Sequence, residues 1–166
     1  MLKNAEDIEA VRKSAAVNIG VLDYVAERIG PGVTTAQIND WVNEYTEAHG
    51  GIPADLDFEG YPFSVCTSIN EVVCHGMPSE DDVLKEGDIV NVDCSTIVDG
   101  YFSDSSRMFC IGEVSEERKR LVEVTREAML KGLEQVKPWG RLGDVGAAVK
   151  AHAEANGFSV VREFGG

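Results

Sequence analysis

The sequence predicts a mixed chain of the α/β (α+β) class, in which two helices precede a long antiparallel hairpin and the helical pattern then begins again. Three observations carry this. Apolar residues recur at helical spacing over 6–29 and again over 34–51. The stretch NVDCSTIVDGYFSDSS, residues 91–106, alternates in character on both sides of an Asp-Gly dipeptide, the strongest short-range signal of a hairpin. Past Gly112 a second pair of amphipathic segments follows at a shift of 107 residues, which takes Pro31 to Pro138, Ile38 to Val145, Ala48 to Ala155 and Gly50 to Gly157.

The first helix is read over 6–29, where Ile8, Val11, Ala15, Ile19, Leu22, Val25 and Ile29 share a stripe that Gly-Pro-Gly then stops. The second opens on a capping threonine, carries Ile38, Trp41, Val42 and Tyr45 on one side and ends at the glycine pair 50–51. Residues 51–77 are rich in Gly, Pro and aromatics around a short strand-like SVCTSI, and are expected to build loops over the sheet. The hairpin strands are read at 88–98 and 101–111. After them, 115–136 and 141–157 read as helices separated by the break KPWG, and FSVV at 158–161 reads as the start of a strand. The repeat expects one domain over 1–166 built as a first half of about 1–112 and a second half beginning at about 113. The second unit would need a hairpin of its own, so the chain is expected to be cut short.

Composition excludes several classes of function. With 43% apolar and 27% charged residues the chain can bury a sizeable core. Its 29 acidic against 15 basic residues give a net charge of −14, which repels phosphate backbones, so no nucleic-acid partner is expected. The N-terminus is charged and amphipathic, and no run approaches the roughly 18 apolar residues of a membrane span. A cytoplasmic protein is expected. Cys66, Cys74, Cys94 and Cys110 form no C-x-x-C pair and are expected to be reduced thiols.

The Asp-Gly turn makes residue i face residue 199 − i. Asp93 then lies opposite Ser106 and Asp104 opposite Ser95, which puts the two aspartates on one face as diagonal neighbours with Cβ atoms about 7 Å apart. Asn91, Ser95 and Ser106 share that face, whereas Val90, Val92, Cys94, Phe109 and Ile111 take the other. Carboxylates at that range repel unless one is protonated or a cation sits between them. An oxygen-rich site favours Mg, Mn, Fe or Co, although added histidine widens the choice. The alternative is that both aspartates simply face water from a one-sided sheet. His75 in VVCHGMP is on a loop that can aim it at a site, while His49 ends the second helix and His152 lies within the last one.

The segments SVCTSINEVVCHGMP, LKEGDIVNVDCSTIVDGYFSDSSRMF and GFSVVREFGG resemble, in order and spacing, the bacterial type I methionine aminopeptidases. The resemblance implies the pita-bread fold, with pseudo-twofold duplicated halves of which the second is incomplete here. It implies a two-metal site whose ions are Co, Mn, Fe or Zn, with Asp93 and Asp104 as the first two ligands and Asp104 bridging both. His75 matches the histidine that contacts the substrate beside the scissile amide. Phe58, Tyr61 and Cys66 fall where the family lines its pocket for the methionine side chain, Phe58 standing where a tyrosine is often found. YFSDSS departs from the FHGDTS of many members. The family's motif after EFGG, two later glutamates and a second histidine are not in the sequence, so three of five metal ligands are expected to be absent and the chain inactive alone. The implied substrates are peptides and nascent proteins that begin with methionine, and the complete protein is expected to be a monomer. A proline-directed peptidase of the creatinase or prolidase kind and a non-catalytic binding protein of the same fold are the alternatives.

Overall fold

The computed structural model describes residues 2–162 and divides the chain into two compact units at Val114/Ser115. Glu163–Gly166, the EFGG of the resemblance, lie outside the described residues.

In the first unit, α1 (Ala5–Ala26) starts at a reciprocal capping box between Asn4 and Asp7, and α2 (Thr35–Ala48) at one between Thr34 and Gln37. Strands β1 (Ile52–Pro53), β2 (Cys66–Ile69), β3 (Ile89–Val98) and β4 (Tyr101–Cys110) form one antiparallel sheet. β4 pairs with β3 along its whole length. The other edge of β3 is shared: β2 pairs with Val90–Asp93 and β1 with Thr96 and Ile97. The helices lie on the sheet face made by Val90, Val92 and Cys94, and with Val21, Leu22, Val25, Ile38 and Val42 they enclose the core.

The stripe expected on α1 is buried at its C-terminal end, where Leu22 and Val25 enter the core and Ile29 packs on it, but not towards its start. Ile8 and Ile19 are 45% and 51% exposed, and the residues pressed on the sheet include the polar Ser14 and Asn18. Both are satisfied there. Ser14 Oγ lies 2.9 Å from the Thr96 carbonyl, and Asn18 Nδ2 donates to the Cys94 carbonyl at 2.8 Å and to Thr96 Oγ1 at 3.1 Å. Ser105 Oγ donates to Asn18 Oδ1. A buried polar side chain whose bonds are all made costs little, and strand carbonyls facing a helix supply the partners.

In the second unit α3 (Glu116–Leu133) starts at Ser115 and α4 (Leu142–Ala155) follows the KPWG break, where Trp139 has a left-handed backbone with φ 66°. A shift of 107 residues carries the bounds of α2 onto those of α4. The two helices approach closely at Gly132, where an added Cβ would come within 2.8 Å of Val149 Cγ2. His152 Nε2 and Glu127 Oε2 are 2.8 Å apart across the same pair. Residues 158–161, expected to start a strand, are irregular because among the described residues no strand lies alongside to pair with them.

Candidate active site

The hairpin forms because its turn residues accept positive φ: Asp99 at 52° and Gly100 at 82°. The pairing follows the 199 − i register from Ile89–Cys110 to Val98–Tyr101, with Asp93 opposite Ser106 and Ser95 opposite Asp104. Burial alternates along β3 as the pleat requires. Val90, Val92, Cys94 and Thr96 are buried under the helices, whereas Asn91, Asp93 and Ser95 are half-buried on the other face.

On that face acids gather without a base. Burial raises the Asp93 carboxyl above its ordinary value; repulsion from Asp104 and then Asp55 adds to this, and His75 opposes it. Asp55 is also raised, first by burial and then by Asp104, against the stabilising hydrogen bonds of Ser95. Among the described residues no Lys or Arg forms an ion pair with any of the three. Nor do three His, Cys, Asp or Glu side chains among the described residues form a group able to hold a metal ion. Asp55 is turned to the sheet edge, its Oδ2 accepting the Ser95 N–H at 2.8 Å. Asp93 and Asp104 are therefore a partial donor set. Their oxygens and uncompensated charge suit a hard divalent cation and leave most of its shell to other groups.

Beside the carboxylates opens a cleft of about 580 Å³. Phe58, Tyr61, Cys66 and His75 all line it, and so do Asp55 and Met77, which sequence reasoning missed. Cys66 joins the cleft to the aspartates, since it pairs with Asp93 across β2 and β3 and so shares its face. Its thiol is raised chiefly by burial, which keeps it protonated and a poor nucleophile. Tyr61 is fixed by its hydroxyl donating to the Val65 carbonyl at 3.0 Å and by an edge contact with Phe63. Burial raises its phenol too. Phe58 opens a 3₁₀ turn, Phe58–Gly60, between Asp57 and Glu59 at positive φ, and is 66% exposed at the rim. Cys94, on the core side of β3, is pushed up to about 12 by burial and belongs to the packing.

His75 is held by its neighbour. It adopts a left-handed backbone, φ 55°, and Gly76 follows it directly against β2. The Thr67 N–H donates to the Gly76 carbonyl at 2.8 Å, and the Gly76 N–H to Ser68 Oγ at 3.2 Å. Only glycine fits, because a Cβ there would stand 2.1 Å from the Thr67 carbonyl oxygen. His49 and His152 lie elsewhere: His49 caps α2 and stacks on Tyr45 with ring centroids 3.9 Å apart, and His152 meets Glu127. All four cysteines are free thiols. No helix among the described residues is long and apolar enough to cross a membrane.

Residues 9–166 match the model of metallopeptidase family M24. Methionine aminopeptidase A of Synechocystis is 49% identical over 165 residues, an alignment that covers 99% of this chain and 65% of the relative. The methionine aminopeptidase of Rickettsia prowazekii is 44% identical over 161 residues, covering 97% and 62%. The chain thus spans under two thirds of the length of these curated relatives. A crystal structure of methionine aminopeptidase from Rickettsia prowazekii is similar with a TM-score of 0.96 at 43% identity, over 99% of this chain and 66% of that one. Prolidase from Pyrococcus furiosus is similar with a TM-score of 0.83 at 20% identity, over 94% and 44%, a likeness of fold alone.

Proposed function

Since the chain belongs to metallopeptidase family M24, whose members use divalent metal, we propose that it carries part of a methionine aminopeptidase site that removes the first residue from peptides and nascent proteins beginning with methionine. Its mixed helix-and-sheet architecture is the pita-bread fold that methionine aminopeptidases and prolidases share. The observation that carries the reading is the placing of half-buried Asp93 and exposed Asp104 as diagonal neighbours on one face of the hairpin, without a basic partner, beside a cleft walled by Tyr61 and Cys66.

In this reading Asp93 and Asp104 would hold divalent metal together with donors beyond these two. When bound, such ions supply Lewis acidity, lowering the pKa of water and polarising the scissile carbonyl. The chain's own residues do the rest. Tyr61, Cys66 and Phe58 receive the first side chain, and a neutral thiol, a fixed phenol ring and the adaptable Met77 make a soft apolar wall suited to an unbranched thioether. His75, aimed into the cleft by the Gly76 anchor, hydrogen-bonds the amide that is cut and stabilises the charge that develops there.

The test compares residues 1–166 with a form extended to the length of its relatives, each assayed for methionine release from a Met-Gly peptide with Mn or Co. The extended form turns over and loses activity in Asp104→Asn, whereas residues 1–166 alone, with two aspartates as donors, show none. Robust turnover by residues 1–166 alone would overturn this account of the site, and so would an extended form that cleaves only proline-containing dipeptides.

A further inference from the structure

The wall of the cleft is held from behind by a helix that does not line it. Tyr61 and Cys66 stand on either side of Ser64, which is fully buried and precedes Cys66, the first paired residue of β2. Its N–H therefore lies outside the sheet ladder, and buried polar groups must find partners elsewhere. Both of its donors turn to α2. The Ser64 N–H donates to Asn39 Oδ1 at 2.9 Å, and Ser64 Oγ donates to Asn43 Oδ1 at 2.6 Å. Spaced one helical turn apart, the two asparagines share a face of α2. Each follows a core residue, Ile38 or Val42, and both of these are fully buried, so the helix is not free to shift with the loop. The loop is bonded within itself. The Asp57 N–H donates to the Tyr61 carbonyl at 2.8 Å, the Tyr61 N–H to the Phe58 carbonyl at 2.9 Å, and the Tyr61 hydroxyl to the Val65 carbonyl at 3.0 Å. It moves as a unit, and Ser64 fixes the point at which it enters the sheet. Asn39, Asn43 and Ser64 are not among the residues that line the cleft.

We infer that Asn39 and Asn43 are positioning residues: acting through Ser64, they hold Tyr61 and Cys66 at the separation that receives the first side chain of the peptide. The inference rests on the aminopeptidase reading and deepens it by naming what sets the width of the pocket. A wall that touches the substrate equally before and during reaction contributes uniform binding, so its displacement raises KM and spares kcat. A loss of overall stability does the reverse, since it shrinks the folded fraction and leaves the KM of the remainder unchanged.

The experiment treats residues 1–166, without added metal, with iodoacetamide and follows labelling cysteine by cysteine by mass spectrometry. Exposed Cys110 is the internal standard, Cys66 reports the wall and buried Cys94 reports the core. In Asn43→Ala, labelling of Cys66 relative to Cys110 rises about fivefold, the weight of one neutral hydrogen bond, while Cys94 is unaltered. Asn43→Asp, which keeps the accepting oxygen, restores the slow labelling of Cys66. Ser64→Ala keeps the N–H bond to Asn39 and gives the same result should Asn43→Ala not fold. Equal gains at Cys66 and Cys94, or no gain at Cys66, would overturn the inference. In a form extended to the length of its relatives, with Mn or Co, Asn43→Ala raises KM for a Met-Gly peptide about fivefold and keeps kcat within about twofold. A lower kcat at unchanged KM overturns the inference and leaves the aminopeptidase reading standing. An unaltered extended form that releases no methionine overturns the aminopeptidase reading, and with it the substrate role of the wall, whatever the labelling shows.

Discussion

Replacing Gly76 with alanine tests whether the loop that carries His75 is held by close backbone contact. An added Cβ would stand 2.1 Å from the Thr67 carbonyl oxygen, 2.8 Å from its carbon and 3.1 Å from the Ser68 Cα. These are backbone atoms of β2, which cannot rotate aside, so the loop must withdraw by about 1 Å to restore an ordinary contact. Withdrawal stretches the bonds from Thr67 N–H to the Gly76 carbonyl and from Gly76 N–H to Ser68 Oγ, now 2.8 and 3.2 Å. At about 1 kcal/mol for each bond, with a similar cost for the strained contact, Gly76→Ala destabilises the first unit by about 2–3 kcal/mol. Urea denaturation followed by circular dichroism measures the loss, and hydrogen exchange at the Thr67 amide reports the broken bond directly. The same displacement moves His75, and in a form extended to the length of its relatives, if His75 contacts the substrate as proposed, a 1 Å error costs about a hundredfold in rate. A variant within 0.5 kcal/mol of the unaltered chain that keeps a protected Thr67 amide would refute the reasoning.

Asn18→Ala removes the bonds to the Cys94 carbonyl, Thr96 Oγ1 and Ser105 Oγ behind the aspartates, and lowers stability by about 3 kcal/mol at roughly 1 kcal/mol each; urea midpoints give the value. Asp93 has its carboxyl raised by burial and by Asp104, so the folded chain holds this proton more tightly than the unfolded one. Its contribution is complete below the ordinary carboxylate value of 3.8 and is lost as pH rises through the raised value. The metal-free unaltered chain therefore loses stability relative to Asp93→Asn as pH climbs from 4 towards neutrality, measured as the difference in urea midpoints; a flat or rising difference contradicts the assignment. In a form extended to the length of its relatives, His75→Ala lowers turnover by about 10²–10⁴-fold with metal content unchanged by atomic absorption, and loss of the metal would make His75 a ligand instead.

The hairpin was legible because its signals are local. A two-residue turn that tolerates positive φ sets the register, and a pleat of period two then decides the face of Asp93 and Asp104 with no knowledge of the rest of the molecule. The capping threonine that opens α2, Thr34, is a local signal too. Periodicity placed Leu22 and Val25 of α1 correctly in the core, but it misread Ile8 and Ile19, having no means to anticipate that Thr96 and Cys94 offer carbonyls to Ser14 and Asn18 across some 80 residues. Asp55 was missed for a related reason. β1 has two residues, too few for any alternation to appear, and its pairing with β3 spans about 40 residues. The one available hint was an acid set among Pro, Leu and Phe in a segment otherwise read as loop.

The two aspartates are eleven residues apart on the strands of one hairpin, and this bears on how the chain folds. Hairpins close in about 1–10 μs, long before contacts between distant segments are made, so the two acids meet at the beginning of folding. Their repulsion opposes the closure that brings them together, and a divalent cation in the medium relieves it at once. The expected outcome is an effect on the folding rate: added Mg²⁺ accelerates refolding of the unaltered chain, and in Asp93→Asn, where the repulsion is gone, refolding is faster and no longer responds to the ion.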